Sequence, residues 1–351
     1  MHLSPMHLPR MPIVLCLLAS LALALPASAA DAWPHDGECG PWGKVAPPKQ
    51  DMGSAPAGCD AQALYYGTDG KGTGRDYVAA RHCAYRQPRD GDALLQEGDV
   101  FGGSGILMML YANGQGVKRD IPLAKRFACE YGGAPAEVSG RLAHLDAIAA
   151  GTDKAPIDIC DDITSGMMMG FCANREAEFK QVARNGRWGA LQAKWSPAQR
   201  DAWHAVRKAA DDYFESASTE EVDMSGTARG AFAVEARETL ETALFDAVTR
   251  FDGGARPTQK ATDFARADKA LNATYKATLA KLTAGRGDGM FGDYGTIGPD
   301  GVRETQRAWL RYRDAWVRFA ALRWPGTPAD AWKAWLTTER TRALAELVSG
   351  G

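Results

Sequence analysis

The chain has 351 residues, 45% of them hydrophobic and 24% charged, and its formal net charge is −2. This near-neutral total conceals an uneven distribution, since residues 31–150 carry −3, residues 151–255 carry −6 and residues 256–351 carry +6. No segment is basic enough to indicate a nucleic-acid-binding protein, and opposite charges on neighbouring segments favour docking between them or onto separate partners.

The start of the chain has the pattern of a secretory signal peptide. An apolar run covers residues 13–25, and Ala27-Ser28-Ala29 places small residues at the cleavage position. An apolar run of about 13 residues is too short to span the hydrocarbon core of a membrane as a helix. No later segment is long and apolar enough to do so. The sequence therefore predicts an exported chain, periplasmic or extracellular, without a membrane span.

Cysteine usage agrees with export. Cleavage would remove Cys16 and leave six cysteines, which are Cys39, Cys59, Cys83, Cys129, Cys160 and Cys172. An even number of cysteines in an exported chain indicates disulfides, and a metal site is disfavoured because the sequence has no C-x2-C pair and its histidines are scattered. Proximity along the chain favours the pairs Cys39–Cys59, Cys83–Cys129 and Cys160–Cys172. The second half of the chain, without cysteines, is expected to be stabilised by packing alone.

Residues 65–84 and 110–129 resemble each other. Their sequences are YYGTDGKGTGRDYVAARHCA and LYANGQGVKRDIPLAKRFAC, with Asp76 and Asp120 at matching positions. In each copy a helix is expected to end near a tyrosine, glycines such as Gly114 to close the turn in the left-handed region, and the aspartate to cap the next helix. The pattern predicts two helical hairpins.

These hairpins resemble Sel-one-like repeats, which are solenoid units related to tetratricopeptide repeats. The resemblance covers roughly residues 60–150. Two repeats are fewer than a solenoid usually needs to be stable alone. We therefore expect the disulfides and the following region to complete the fold.

A second internal similarity relates residues 203–213 to residues 309–319. Both segments place large residues at i, i+3, i+7 and i+10, which lie on one face of an α-helix. The fold class predicted for the whole chain is all-α. The residues predicted to form the core face of the second segment are Trp309, Tyr312, Trp316 and Phe319.

Two motifs near the C-terminus resemble the LprI-like lysozyme-inhibitor family of exported bacterial proteins. They are AD-x-x-LN-x-x-Y at residues 267–275 and TQRAW-x-x-YRDA at residues 305–315. The best similarity covers residues 263–345, and a degenerate copy covers residues 160–250. The resemblance implies a helical fold and an inhibitory, protein-binding role.

Two further features bear on this resemblance. Cys160 and Cys172 look like the cysteine pair at the N-terminus of the family. The sequence departs from the family pattern after the second motif, where members commonly carry a cysteine. Here Trp316 follows the motif directly, and no cysteine occurs beyond Cys172.

Charge indicates which segment would contact a lysozyme. Lysozymes are usually basic, so an acidic face on an inhibitor raises the association rate. Residues 256–351 have the wrong sign for this contact, which therefore is expected to come from residues 151–255. An ordinary solvated surface is the alternative. The candidate contact residues are Asp161, Asp162, Glu220 and Glu221.

Asn272 and Gln306 are polar residues near the apolar faces of predicted helices. A buried amide requires hydrogen-bond partners and can fix the register of two helices. We expect an interhelical hydrogen bond shared with Arg313. The alternative is that these three side chains form the polar floor of a ligand groove.

No catalytic, metal-binding or cofactor-binding residue is predicted, since the chain lacks the serine-elbow, zinc-helix and S-x-x-K patterns. The leading hypothesis is a non-catalytic protein-binding protein of the bacterial envelope, with a lysozyme-type muramidase as its partner. The second hypothesis is an envelope adaptor that uses the Sel-like repeats, and the third is an enzyme acting on cell-wall material. The predicted divisions are a signal peptide (1–29), a Sel-like region (30–150), a degenerate LprI-like unit (151–255) and an LprI-like unit (256–351).

Overall fold

The computed structural model describes residues 36–87, 100–286 and 291–349, so the predicted signal peptide lies outside the described residues. All regular secondary structure in this part of the chain is helical, which confirms the predicted all-α class. Short 3-10 turns lie at Trp42–Lys44 and Ala261–Asp263. The α-helices are α1 (Asp36–Cys39), α2 (Lys49–Met52), α3 (Ala61–Tyr66), α4 (Tyr77–Ala84), α5 (Gly103–Asn113), α6 (Ile121–Tyr131), α7 (Pro135–Ala150), α8 (Gly166–Gln192), α9 (Pro197–Glu220), α10 (Arg229–Asp252), α11 (Phe264–Ala284), α12 (Pro299–Arg323) and α13 (Ala329–Glu346).

The N-terminal region contains the two predicted hairpins. Helix α3 packs on α4, α5 packs on α6, and α4 also packs on α5. The Asp76 carboxylate accepts hydrogen bonds from the backbone N–H groups of Val78 and Ala79, and the Asp120 carboxylate accepts one from Leu123. Both predicted caps are confirmed. They satisfy backbone donors that the first turn of a helix leaves free.

Two glycines allow the second hairpin to form. Gly114, with φ +67°, ends α5 in the left-handed region, as predicted. Gly116 also has a positive φ, and a Cβ built on it would lie 2.6 Å from the Cβ of Tyr77. This turn therefore packs directly against the start of α4.

The disulfides are Cys39–Cys129, Cys59–Cys83 and Cys160–Cys172. The predicted pair Cys160–Cys172 is confirmed, whereas Cys39–Cys59 and Cys83–Cys129 are wrong. The actual partners follow from packing, because α1 lies against α6 and the segment before α3 lies close to α4. The entropy of loop closure grows only slowly with loop length, so proximity along the chain was a weak guide.

The described residues contain two hydrophobic cores. The first is built from the N-terminal helices and extends through Ile157 and Ile159 to Met168, with Phe179 packed against it. The second begins at Trp188 and includes the remaining helices. Helix α8 therefore contributes its first half to one core and its last turns to the other.

Helices α8 to α10 form a three-helix unit whose first and third helices run parallel. Gly170 lies against Gly230 near the start of both helices, and the Trp188 ring contacts the Phe245 ring near their ends. Helix α9 connects these two helices in the sequence and runs in the direction opposite to theirs.

Helices α11 to α13 repeat this arrangement. The Lys333 ammonium lies over the Phe264 ring at the start of the parallel pair. Farther along, the Thr278 hydroxyl donates a hydrogen bond to the Leu344 carbonyl oxygen. Helix α12 is the connecting helix of this second unit.

The two units meet through α9 and α12, which pack along their length in antiparallel orientation. The hydroxyls of Ser216 and Thr305 lie 2.7 Å apart at one end, and the Gln199 amide donates to the Leu322 carbonyl oxygen at the other. The predicted core face of α12 is confirmed, because all four of its aromatic residues are buried. They are Trp309, Tyr312, Trp316 and Phe319.

Candidate functional site

The three polar residues predicted to meet across helices do not do so. Asn272 is exposed, and its amide donates to the backbone and side chain of Asp268 in the same helix. The Arg313 guanidinium donates to the neighbouring Asp314. Only Gln306 is buried, with 9% of its surface exposed. The expected shared hydrogen bond is therefore wrong, because one residue beyond the apolar Leu271 already faces solvent on a helix.

Gln306 instead belongs to a buried polar cluster that the sequence analysis missed. Its side-chain oxygen accepts a hydrogen bond of 2.9 Å from Nε of Arg340. The other two nitrogens of this guanidinium donate to the Glu221 carboxylate at 2.7 and 2.5 Å. Burial lowers the pKa of Arg340, but hydrogen bonds and charge from Glu221 outweigh this effect and raise it overall. A sequence signal existed, since Arg340 lies midway between Leu336 and Leu344 on the apolar face of α13.

The cluster joins the two three-helix units. Glu221 immediately follows α9, whereas Gln306 and Arg340 belong to α12 and α13. Arg340 is 2% exposed, so its charge is compensated almost entirely by this carboxylate. Glu221, predicted to contact a partner, therefore serves the interior of this protein.

The predicted acidic residues before α8 are also engaged within the chain. The Asp161 carboxylate accepts a hydrogen bond from the backbone N–H of Asp158, and burial raises its pKa. The Asp162 carboxylate lies 3.0 Å from Nδ1 of His144 on α7. These contacts hold the segment between α7 and α8. Of the four acidic residues predicted to contact a partner, Glu220 is exposed and has no ion-pair partner among the described residues.

An exposed acidic groove lies along α9 and the start of α12, with a volume of about 620 Å³. Arg237 pairs with Asp211 and Glu215, while Arg311 lies at the far wall. We call this surface the acidic groove. Its charged lining residues are Asp211, Asp212, Glu215, Glu220, Arg237, Glu304 and Arg311.

A second, largely apolar groove of about 410 Å³ lies between α10 and α13. Its floor is formed by α9 and α12, where the rings of Tyr213 and Tyr312 stack with centroids 5.6 Å apart. Burial raises the pKa of Tyr312 far above its usual value, so its hydroxyl stays protonated. We call this cavity the apolar groove. Its remaining lining residues are Phe214, Leu240, Ala243, Leu244, Asp246, Ala247, Arg250, Trp309, Trp335, Leu336, Glu339, Arg340 and Ala343.

Aromatic side chains fill the interior of the described part of the hairpin region. Tyr65, Tyr111 and Phe127 are buried there, and the rings of the last two stack 5.7 Å apart. These residues belong to the first core.

The described residues offer neither a metal site nor a membrane span. They contain no group of three or more His, Cys, Asp or Glu side chains arranged to hold a metal ion. In the same part of the chain, no helix has the length and apolar character needed to cross a membrane.

Comparison with known proteins finds one family. A family model described as "Lysozyme inhibitor LprI" matches residues 257–346. This range covers α11 to α13 and the 3-10 turn before them. No curated protein and no solved structure matches the chain. The predicted resemblance to the LprI family is thus confirmed for the second three-helix unit, which we call the LprI-type domain.

Proposed function

We propose that the chain is an exported, non-catalytic binding protein of the bacterial envelope that inhibits a lysozyme-type muramidase. The match of residues 257–346 to the LprI family carries this proposal, because the family is described as a lysozyme inhibitor. The three disulfides support export, since disulfides persist in oxidising compartments.

The acidic groove is the surface that best suits a basic muramidase. It presents five carboxylates against two arginines. Asp212, Glu220 and Glu304 have no ion-pair partner in the described part of the chain, so their charge is available to a partner. Complementary potentials of this kind raise association rates and fix orientation. Glu304 comes from the LprI-type domain and the other two from α9, so both three-helix units contribute.

The test is lysis of bacterial cell walls by lysozyme with and without the oxidised mature protein, at low and moderate salt. We expect stoichiometric inhibition that weakens as salt rises, because exposed charges are screened. The triple variant Asp212→Asn/Glu220→Gln/Glu304→Gln should inhibit about tenfold less well at low salt, if each exposed charge contributes about 0.5 kcal/mol.

A matched control removes three exposed carboxylates elsewhere. The variant Asp201→Asn/Glu235→Gln/Glu346→Gln changes net charge equally and leaves the acidic groove intact. Equal loss in both triple variants would reduce the effect to net charge and overturn the assignment of the groove. Absence of inhibition by a large excess of folded parent protein would overturn the proposed function itself.

The proposal includes an organisation of the chain that deepens the family match. Residues 30–150 would be a Sel-like region, and residues 151–255 a degenerate copy of the LprI-like unit at 256–351. The matching arrangement of α8 to α10 and α11 to α13, with parallel outer helices, supports the duplication. Degeneration of the first copy fits a division of roles in which it supplies most of the acidic groove.

A further inference from the structure

The apolar groove is a cavity that no side chain of the described residues fills. Its volume of about 410 Å³ falls in the range of small-molecule sites, which are mostly apolar with a few polar groups. Leu240 and Ala243 of α10 form one wall, and Leu336 and Ala343 of α13 form the other. These wall residues are aliphatic, and the small side chains of Ala243 and Ala343 leave room between the two helices.

The floor carries hydrogen-bond donors without protein acceptors. Trp309 is 2% exposed and Tyr312 is 7% exposed, and both line the groove. Neither the indole N–H nor the phenol O–H donates to an acceptor among the described residues, and both atoms are accessible to water. A ligand acceptor that reaches these atoms replaces water as their partner.

The rim carries one cation without a carboxylate partner in the described part of the chain. The Arg250 guanidinium lies 4.7 Å from the Phe251 ring centroid and 5.8 Å from that of Trp335, with no carboxylate oxygen within ion-pair distance. Two other charged residues of the groove have ion-pair partners. Glu339 pairs with Arg342, and Arg340 pairs with Glu221.

We propose that the apolar groove binds a fatty acid, with its aliphatic chain between α10 and α13 and its carboxylate at Arg250. Three donors of the groove, a guanidinium, an indole N–H and a phenol O–H, lack a protein acceptor, against the single unpaired carboxylate of Asp246, so a ligand that brings acceptors is favoured. Aliphatic walls select an aliphatic chain, and the charge at Arg250 selects an anionic head. This activity is separate from muramidase inhibition, because different side chains line the two grooves.

Asp246 allows the predicted negative charge of the ligand to be tested. It lies one helical turn before Arg250, lines the same groove and has no ion-pair partner in the described residues. Its charge opposes a bound carboxylate and favours a bound cation. The two rim residues therefore have opposite effects on ligands of opposite charge.

The experiment is calorimetric titration of the folded, oxidised full-length mature protein with decanoate and dodecanoate, and with decyltrimethylammonium as the cationic probe of equal chain length to decanoate. We expect one fatty acid to bind per protein molecule, with an affinity that rises about fourfold for each added methylene. Arg250→Gln should weaken dodecanoate binding about fivefold, and Arg250→Lys should restore most of it. Asp246→Asn should strengthen dodecanoate binding and weaken binding of the cation.

Occlusion of the groove tests its location. Ala343→Phe places a ring between the walls, and we expect at least a tenfold loss of dodecanoate affinity. Ala345→Phe, on the exposed side of the same helix, is the matched control and should bind like the parent. Circular dichroism and the unfolding midpoint show that each variant is folded.

Three outcomes would overturn the proposal. They are no dodecanoate binding by the parent protein, equal binding by both phenylalanine variants, and tighter binding of the cation than of decanoate. If Ala343→Phe fails to fold, the opposite responses of Arg250→Gln and Asp246→Asn decide, since both positions lie at the exposed rim. Fatty-acid binding without lysozyme inhibition would leave this proposal standing and overturn only the proposed function.

Discussion

Replacement of one member of the Arg340–Glu221 pair should destabilise the second core severely. In Glu221→Gln, the Arg340 guanidinium keeps its charge but loses the carboxylate that holds two of its nitrogens. The exposed fractions of the two side chains are 0% and 7%, so water cannot replace the lost partner without opening the core. Removal of one partner from a buried ion pair costs about 3–5 kcal/mol. We expect a loss of that size in the free energy of unfolding.

A variant that removes both charges separates the net contribution of the ion pair to stability from the cost of leaving one charge unpaired. In Arg340→Met/Glu221→Met both charges are gone, and Gln306 loses one hydrogen bond. That residual cost is about 1–3 kcal/mol, because one buried acceptor is left without its donor. The double variant should therefore be more stable than Glu221→Gln, although it changes more residues.

Urea unfolding followed by tryptophan fluorescence is the assay. Trp188 and the tryptophans after it all lie in or against the second core, so the signal reports this part of the molecule. Arg342→Met is the matched control, since it breaks an exposed ion pair. The side chains of Arg342 and Glu339 are 60% and 47% exposed. Exposed pairs contribute about 0–1 kcal/mol, and the control should lose no more than that.

A loss below 1 kcal/mol in Glu221→Gln, with an unchanged slope against urea, would refute this reasoning. It would mean that water or another group compensates the guanidinium. The single variants Arg340→Met and Glu221→Met complete the comparison. A double variant as unstable as their sum would contradict the uncompensated charge as the cause, because independent sites add and coupled ones do not.

Two further predictions concern the N-terminal core. Loss of the Cys39–Cys129 disulfide by Cys→Ser replacement should cost about 4–5 kcal/mol, and loss of Cys160–Cys172 about 3 kcal/mol, because the first closes a loop of 90 residues and the second a loop of 12. Thermal unfolding of the two double-serine variants checks this order, and a reversed order would contradict the loop-entropy argument. Burial alone would raise the pKa of Glu137, but hydrogen bonds from backbone N–H groups just before α8 outweigh it and lower this pKa. The ionised carboxylate therefore contributes about 1–3 kcal/mol to the free energy of unfolding above pH 4.5, and this contribution is lost as pH falls through the lowered pKa. Glu137→Gln should therefore be less stable than the parent at pH 7, and the difference should shrink below pH 4 in urea unfolding; a constant difference across this range would assign the effect to packing.

The sequence predicted the helices well where periodicity and capping acted together. The aspartates before α4 and α6 and the glycine after α5 are local signals, and each operates within one turn of chain. The aromatic face of α12 is also a local pattern, because a period of 3.6 residues alone identifies it. These features needed no knowledge of what the helix packs against.

Partners across the fold could not be predicted in the same way. Arg340 meets a carboxylate 119 positions earlier in the chain, and Cys39 meets a cysteine 90 positions later. Such pairs depend on which helices lie side by side, and the sequence specifies this only through the whole packing arrangement. The environment of the acidic residues could not be predicted for the same reason, since Asp162 and Glu221 each contact a side chain contributed by another helix.

The family match and the second core do not coincide, and this has a consequence for function. Residues 257–346 contain α11 to α13, yet Tyr312 and Phe319 of α12 contact aromatic rings of α9, and Trp316 contacts Phe251 of α10, all outside the match. The acidic groove likewise combines Glu304 of α12 with Asp212 and Glu220 of α9. The matched segment alone would expose the aromatic face and lose most of the carboxylates. The proposed inhibitory surface therefore requires both three-helix units. The net charge of +6 on residues 256–351 is compatible with the proposed basic partner, because the acidic unit packs directly against this segment.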